Sequence, residues 1–435
     1  MAEILARLEA DPVELREQVL AEALLEQIDK PLEEMLRRGL VFELPVPREA
    51  IAAVCESIPN LDGQINRAVA LGLLEVSPHK SLRVPHILPL KLPEDAESLH
   101  KHAAEVLYRL WWEEGEEGES LRGEQGLEIH RLALLGKAEK IATEMAVALT
   151  SQGHNQSLFK EVVQLCKLTL GVAENYRILH QLARSEQELG EVSQAQEHYQ
   201  QALNNCPQEN EKEKAAIIHN LATLKANQGH IKEALALHKQ SEIICERIPY
   251  YLGKAGSLHC QGILEAKQGH IEEAITLHEQ SKVIFDSIGC DQGKAGKAAA
   301  LHCLGMCKAA QAKVEEAITL YQESLVLFES LGNDQGKAAT LHELATLKAN
   351  MEEIDQAITL YQESLTLSGS IGYVQGKAMT LAMLGQLLAN KKGDFDTALD
   401  YLPQSLEILQ RLQSPDAEKV REAIARVQQM RDDIQ

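Results

Sequence analysis

The 435-residue chain is poor in aromatic residues: two Trp, nine Tyr and five Phe, 4% of the total. Sheets draw heavily on aromatic and β-branched side chains, so this scarcity, beside abundant Ala, Leu, Glu and Gln, favours stacked helices. No run of eighteen apolar residues occurs, which leaves no transmembrane helix to place. The N-terminus reads Met-Ala-Glu and turns acidic at once, unlike a signal peptide. The eight cysteines show no Cys-x-x-Cys and no paired spacing, so a reducing, cytoplasmic setting is expected. Cationic charge is also in deficit: the net charge of −22 repels nucleic acid and anionic membrane. No Ser/His/Asp, Cys/His or paired-carboxylate arrangement stands out. We therefore expect no enzyme, no catalytic residue, no cofactor and no metal.

What the chain does have is a repeat with a period near forty residues, the mark of a solenoid. Ala195, Ala234, Ala274, Ala317, Ala357 and Ala398 anchor six copies, with gaps of 39, 40, 43, 40 and 41 residues. In the same register Leu179, Ile218, Leu258, Leu301, Leu341 and Leu381 head a first helix. Leu182, Leu221, Gln261, Leu304, Leu344 and Leu384 follow three residues on, and apolar positions at this spacing make an amphipathic helix. Next stands a small residue, Ala183, Ala222, Gly262, Gly305, Ala345 or Gly385, which lets two helices approach closely. A turn follows at Gly190, Gly229 and Gly269, then a second helix with Tyr199, Tyr321 and Tyr361 facing inward.

This pattern resembles the tetratricopeptide repeat family. The copy at 176–207 fits best, through Leu179, Leu182, Ala183, Gly190, Ala195, Tyr199, Ala202 and Pro207. From the second copy on, Ser241, Ser281, Ser324 and Ser364 replace the later alanine, and the helix pairs are longer than usual, as in kinesin-light-chain-type repeats. The resemblance implies an all-α fold, a right-handed superhelix, over residues 176–412. Residues 413–435 read as a capping helix, apolar only at Val420, Ala423, Ile424 and Val427.

Ahead of the repeats, residues 1–29 read as a helix with Leu15, Val19, Ala23, Leu24 and Ile28 on one stripe. Helices over 32–38, 48–57 and 61–71 follow, then two strands around the turn Pro78-His79-Lys80. Three helices and a two-stranded wing resemble the winged-helix module of the signal-transduction ATPases with numerous domains (STAND). In that family a nucleotide-binding module precedes the winged helix and a repeat array follows as sensor. We read residues 1–95 as the N-terminal helix and winged-helix domain, and 96–175 as degenerate repeat-like linking helices. The acidic break Glu113–Glu119 lies within the latter. Residues 30–91 hold eight Lys/Arg against seven Asp/Glu, and the helix at 61–71 offers only Asp62, Gln64, Asn66 and Arg67 for base contacts. That balance is poor for duplex DNA, so nucleic acid is not an expected partner.

Three features tempt a chemical reading. Gly-Lys recurs at Gly253, Gly293, Gly336 and Gly376, but a phosphate loop needs four residues between its glycines and a Ser or Thr after the lysine. Here three intervene and alanine follows, so the motif reads as a helix–helix turn with glycine supplying positive φ. Cys303 and Cys307 lie one helical turn apart beside His302, without an evident fourth zinc ligand. Lastly, His180, His219, His259, His302 and His342 each follow the leading apolar residue of a first helix, the phase that faces the groove in tetratricopeptide repeats. Such a ladder can be packing retained by duplication, a row of ligand contacts, or a metal site. Equivalent residues on the order of 10 Å apart cannot share a zinc held at roughly 2.1 Å. Free histidine titrates near 6.5, which would make the groove charge pH-dependent.

Arg184, Asn220, Thr223, Asn227, Lys267, Thr346, Asn350 and Asn390 share that phase and complete the expected ligand-binding row. Asn220 and Asn227 with Lys267 come nearest to a cluster that grasps a peptide carboxylate. The expected function is a protein-interaction or sensor module that binds a protein segment or peptide, with an ATPase module in cis or in trans as a partner. A peptide-responsive winged-helix transcriptional regulator is the alternative.

Overall fold

The computed structural model describes residues 24–114, 123–155, 158–412, 414 and 416–433. The expected helix at 1–29 lies almost wholly outside them, as do residues 115–119 of the acidic break. The described chain is all-α apart from two short strands, a tetratricopeptide-repeat α-solenoid in class, and it forms two compact units, residues 1–206 and 207–435.

In the first unit α1 (Lys30–Gly39), α2 (Arg48–Val54) and α3 (Leu61–Ala70) precede β1 (Glu75–Val76) and β2 (Leu82–Arg83). The strands pair antiparallel, Glu75 with Arg83 and Val76 with Leu82, and Val46 bridges to Leu82 from the other side. The second strand is shorter than the sequence pattern implies, because Pro85 closes it. Then come α4 (Ala96–Leu107) with a π-helical turn at Tyr108–Glu113, α5 (Gly123–Leu135), α6 (Glu139–Asn155), α7 (Phe159–Leu170), α8 (Tyr176–Glu188) and α9 (Val192–Asn205). One core runs through α1–α6: Leu36, Phe42, Ile51, Ile65, Leu73, Leu107 and Ile129 are buried in it together. Buried Glu128 accepts from the Glu43 amide (2.8 Å) and from Arg131, which donates to the Val41 carbonyl (2.7 Å). The extended link after α1 is thereby tied to α5. Cys206, preceding Pro207, is extended, as a residue before proline must be.

The second unit consists of five helix pairs and a closing helix. The pairs are α10 (Glu211–Asn227) with α11 (Ile231–Arg247), α12 (Tyr251–Lys267) with α13 (Ile271–Ile288), and α14 (Asp291–Ala310) with α15 (Val314–Ser330). Then come α16 (Asp334–Asn350) with α17 (Ile354–Ser370), and α18 (Val374–Leu387) with α19 (Phe395–Arg411). α20 (Asp416–Asp432) buries Val420, Ala423 and Val427, one apolar stripe, against Ala378, Leu402 and Leu409.

The small residue of each first helix receives a side chain from the second. A Cβ on Gly262 would stand 2.7 Å from the His278 ring, and one on Gly305 2.6 Å from the Tyr321 ring. The serines that depart from the family pattern tie the two helices of a pair together. Ser241, Ser281, Ser324, Ser364 and Ser405 donate to the carbonyls of Ala215, Ala255, Ala298, Ala338 and Ala378 at 2.7 to 2.9 Å. Most buried hydroxyls find such a partner.

The Gly-Lys-Ala reading needs a correction. Gly253, Gly293, Gly336 and Gly376 sit inside the first turns of α12, α14, α16 and α18, not in the turns before them. The positive φ falls earlier, on Gly289 (70°), Gly332 (62°) and Gly372 (69°). At Gly336 it is space that demands glycine, since a Cβ would lie 2.5 Å from the Phe328 ring. The lysines make surface ion pairs, Lys254 with Glu246 at 2.7 Å and Lys337 with Glu329 at 2.8 Å.

The turn inside each pair has a left-handed residue, at Gly190, Gly229, Gly269 and Gly393, but Ala312 (φ 59°) and Glu352 (φ 62°) hold that place in two pairs. A side chain there costs roughly 1–2 kcal/mol. Ala312→Gly should therefore raise the melting temperature of the chain, with up to about 1 kcal/mol of stabilisation after glycine's extra unfolded-state entropy. Thermal unfolding checks this, and a lowered melting point would refute it. Ala274 is fully buried at a helix-pair contact, so Ala274→Leu should destabilise by about 1–3 kcal/mol through overpacking.

Candidate functional site

Nineteen residues after each ladder histidine, the second helix brings a ring against it: His180 meets Tyr199, His219 meets His238, His259 meets His278, His302 meets Tyr321 and His342 meets Tyr361. The ring centroids are 4.9 to 6.0 Å apart. The histidines thus pack between the two helices of a pair. Three also reach the next pair through Nδ1: His219 to Ser257 at 3.5 Å, His302 to Thr340 at 3.1 Å, and His342 to Thr380 at 3.0 Å. His259 has no such partner, since Ala300 stands where the others find a hydroxyl, and its Nδ1 is left without a hydrogen bond.

Burial changes their chemistry. Removal from water holds His259, His302 and His342 down at about 4, and His238 and His278 at about 3, with neighbouring histidines adding to the effect on His238, His259, His278 and His302. His219 is lowered by the same desolvation. These rings are neutral at pH 7, so His219, His259, His302 and His342 do not make the face charge-sensitive near pH 6.5 as free imidazoles would. The titration expected from sequence is corrected by burial.

The remaining row divides by depth. Half-buried Arg184 donates to Gln181 (3.0 Å), and Asn220 is half-buried. Thr223 donates back to the His219 carbonyl (3.1 Å), and Thr346 bonds the His342 carbonyl (3.0 Å) and the Tyr361 hydroxyl (2.8 Å). Asn227, Lys267, Asn350 and Asn390 are exposed at the far ends of their first helices. Asn390 lies in a π-helical turn, Leu388–Lys392, which inserts one residue and gives its register place to Lys391, paired with Glu352 at 2.8 Å. Beside Lys267 is a cavity of about 430 Å³ lined by Ile263, Ala266, Ile271, His278, Met306 and Ala310, among others. Its floor is apolar and Lys267 stands at its edge.

Cys303 does not group with His302 as its place in the sequence implied. Its sulfur lies with ring nitrogens of His259 and His278, all within 4.8 Å of one another, and Cys260 groups in the same way with His219 and His238. His238 and His278 escaped the sequence reading because they occupy the tyrosine position of the second helix. Their constant spacing from the ladder was the signal that could have found them.

Histidines held neutral in the fold bind protons only after unfolding. From pH 6.5 down toward 4 the unfolded chain takes up more protons, so their stabilisation is present above pH 6.5 and is lost as pH falls. Unfolding free energy should drop between pH 7.5 and 5 by up to about 1.4 kcal/mol per pH unit for each such histidine. Denaturant titrations at several pH values measure this. The double variant His238→Tyr/His278→Tyr should show a shallower slope, and an unchanged slope would contradict the burial argument.

Comparison with known proteins agrees with the fold. Tetratricopeptide repeat models match residues 215–248 and 296–370. No curated protein matches the sequence significantly. Among solved structures the chain is similar to a STAND protein with a tetratricopeptide repeat sensor from Pyrococcus horikoshii. The two share 15% identity with a TM-score of 0.65, over 97% of this chain and 63% of that one, so this chain spans less than two thirds of that protein. It is also similar to a Rap protein complexed with competence and sporulation factor, with 14% identity and a TM-score of 0.50 over 79% of this chain and 100% of that one. At these identities the likeness speaks for the fold, and residues 215–248 and 296–370 are tetratricopeptide repeats.

Proposed function

We propose that the chain is a protein-interaction module whose second unit captures a protein segment or peptide on the face of its first helices. The observation that carries this reading is the 430 Å³ cavity between α12 and α14. Its lining by Ile263, Ala266, Met306 and Ala310 suits one apolar side chain, and exposed Lys267 suits a carboxylate beside it. Asn227 and Asn350 lie in the same register on α10 and α16, where they can bond a peptide main chain. His302 lines the cavity, while His219, His259 and His342, with Thr223 and Thr346, support the first helices rather than contact ligand through charge.

The arrangement of α1–α3 with the β1–β2 hairpin supports reading this element as a winged helix, and the order of parts supports a cytoplasmic STAND-like system with an ATPase module in cis or in trans. No described helix is long and apolar enough to cross a membrane. For α3 as a DNA reader the charges are already engaged: Arg67 pairs with Asp29 at 3.1 Å, and Arg48 with Asp62 at 2.8 Å. This favours a docking or relay role over the transcriptional regulator.

The test is capture of partners by the purified full chain beside Met306→Asp and Lys267→Glu variants, with nuclease-treated controls. Both positions are exposed, so melting should be unchanged while partner recovery falls at least tenfold, on the order of 1.4 kcal/mol of binding. Equal recovery by the variants would remove the cavity from the site. Recovery that vanishes on nuclease treatment, with salt-dependent duplex binding, would favour the regulator.

A further inference from the structure

We propose that the second unit contains two equivalent transition-metal sites of the zinc(II) class, His219/His238/Cys260 and His259/His278/Cys303. In each, one ligand atom per residue lies within 4.8 Å of the others. A zinc ion holds imidazole nitrogen and thiolate sulfur at about 2.0–2.3 Å, which sets ligands roughly 3.5 Å apart. Side-chain rotation closes the remaining ~1 Å.

The two triads arise from the same register used twice. Each takes the ladder histidine of one first helix, the ring-position histidine of its second helix, and the residue following the ladder histidine of the next pair. Adjacent residues of α12 thereby serve different sites, Cys260 the first and His259 the second. The substitutions go together. Where the ring position is His238 or His278, the third place is Cys260 or Cys303; where it is Tyr321 or Tyr361, that place holds Glu343 or Met383. A histidine on its own gains nothing at this position. Tyr361 bonds Thr346 through its hydroxyl, whereas Nδ1 of His238, of His259 and of His278 has no hydrogen-bond partner. An orphaned buried polar atom is costly, and three at two matching places indicate a missing ligand.

The chemistry of the donors suits such an ion. The imidazoles are kept neutral, the form that binds metal. Burial raises the thiols of Cys260 to about 11 and Cys303 to about 12, so both are protonated before metal arrives. Binding breaks each S–H bond, forms a metal–sulfur bond and passes the proton to solvent. Three protein ligands leave one position for water, and the cavity that His278 and Cys303 help to line gives the second site a route to solvent.

The experiment titrates the reduced, chelator-treated full chain with cobalt(II), a spectroscopic stand-in displaced by zinc(II). A thiolate-to-cobalt charge-transfer band should saturate at two ions per chain, with one proton released per ion. His238→Tyr/His278→Tyr, which places at both positions the residue carried by α15 and α17, should abolish the band at unchanged melting. Cys260→Ser alone should halve the stoichiometry, and this variant carries the test if the double histidine variant fails to fold. Absence of the band overturns the proposal. So does a band that survives in Cys260→Ser/Cys303→Ser, which would belong to another thiol such as exposed Cys290. Ions held at the Glu265/His270/Glu273 group would bind without a thiolate band and would likewise count against it.

Discussion

A ring pressed against a residue with little or no side chain is the contact on which five helix pairs, α8/α9 to α16/α17, depend. Tyr199, His238, His278, Tyr321 and Tyr361 are almost completely buried, and Ala183, Ala222, Gly262, Gly305 and Ala345 leave them room. Because the ring fills the space between the helices, the ladder histidine is pushed into the layer beside it. The last pair shows the same contact with other groups, Leu402 resting on Gly385. Anything larger at the small position would part the helices, so the spacing within each pair follows from this one fit.

Polar bonds then fix what the apolar fit leaves free to slide. Each buried serine seizes a carbonyl one helix away, and the Ser/Thr positions 257, 340 and 380 join a first helix to the ladder histidine of the preceding pair. Their geometry specifies register along the stack, where apolar contact alone tolerates a shift. The same economy brings functional groups together. Helix faces that must touch for packing also carry histidine and cysteine in two successive pairs, and so concentrate donor atoms without a dedicated loop.

The exposed ends of the first helices stand apart from this machinery. Asn227, Lys267 and Asn350 can change without disturbing the ring contacts, and the cavity beside Lys267 is lined in part by the buried His278 and Cys307. In the N-terminal unit α1–α6 share one core, and a change at Phe42 or Ile129 would be felt across that core.

The sequence by itself determined the repeat, its register and the helical class, because the period, the small residues and the leading leucines are properties of spacing along one chain. It also marked the stripe of Val420, Ala423 and Val427 that α20 buries. It misplaced the positive φ of the Gly-Lys turns, since a glycine demanded by a neighbouring ring and one demanded by backbone conformation look alike in a string of letters. Only the tertiary structure decided which histidines meet which partners. Cys260 and His259 are neighbours in sequence yet belong to different clusters, because adjacent residues on a helix point about 100° apart and face different neighbours. Burial, which no spacing encodes, decided that His219, His259, His302 and His342 are neutral at pH 7 rather than a titrating surface.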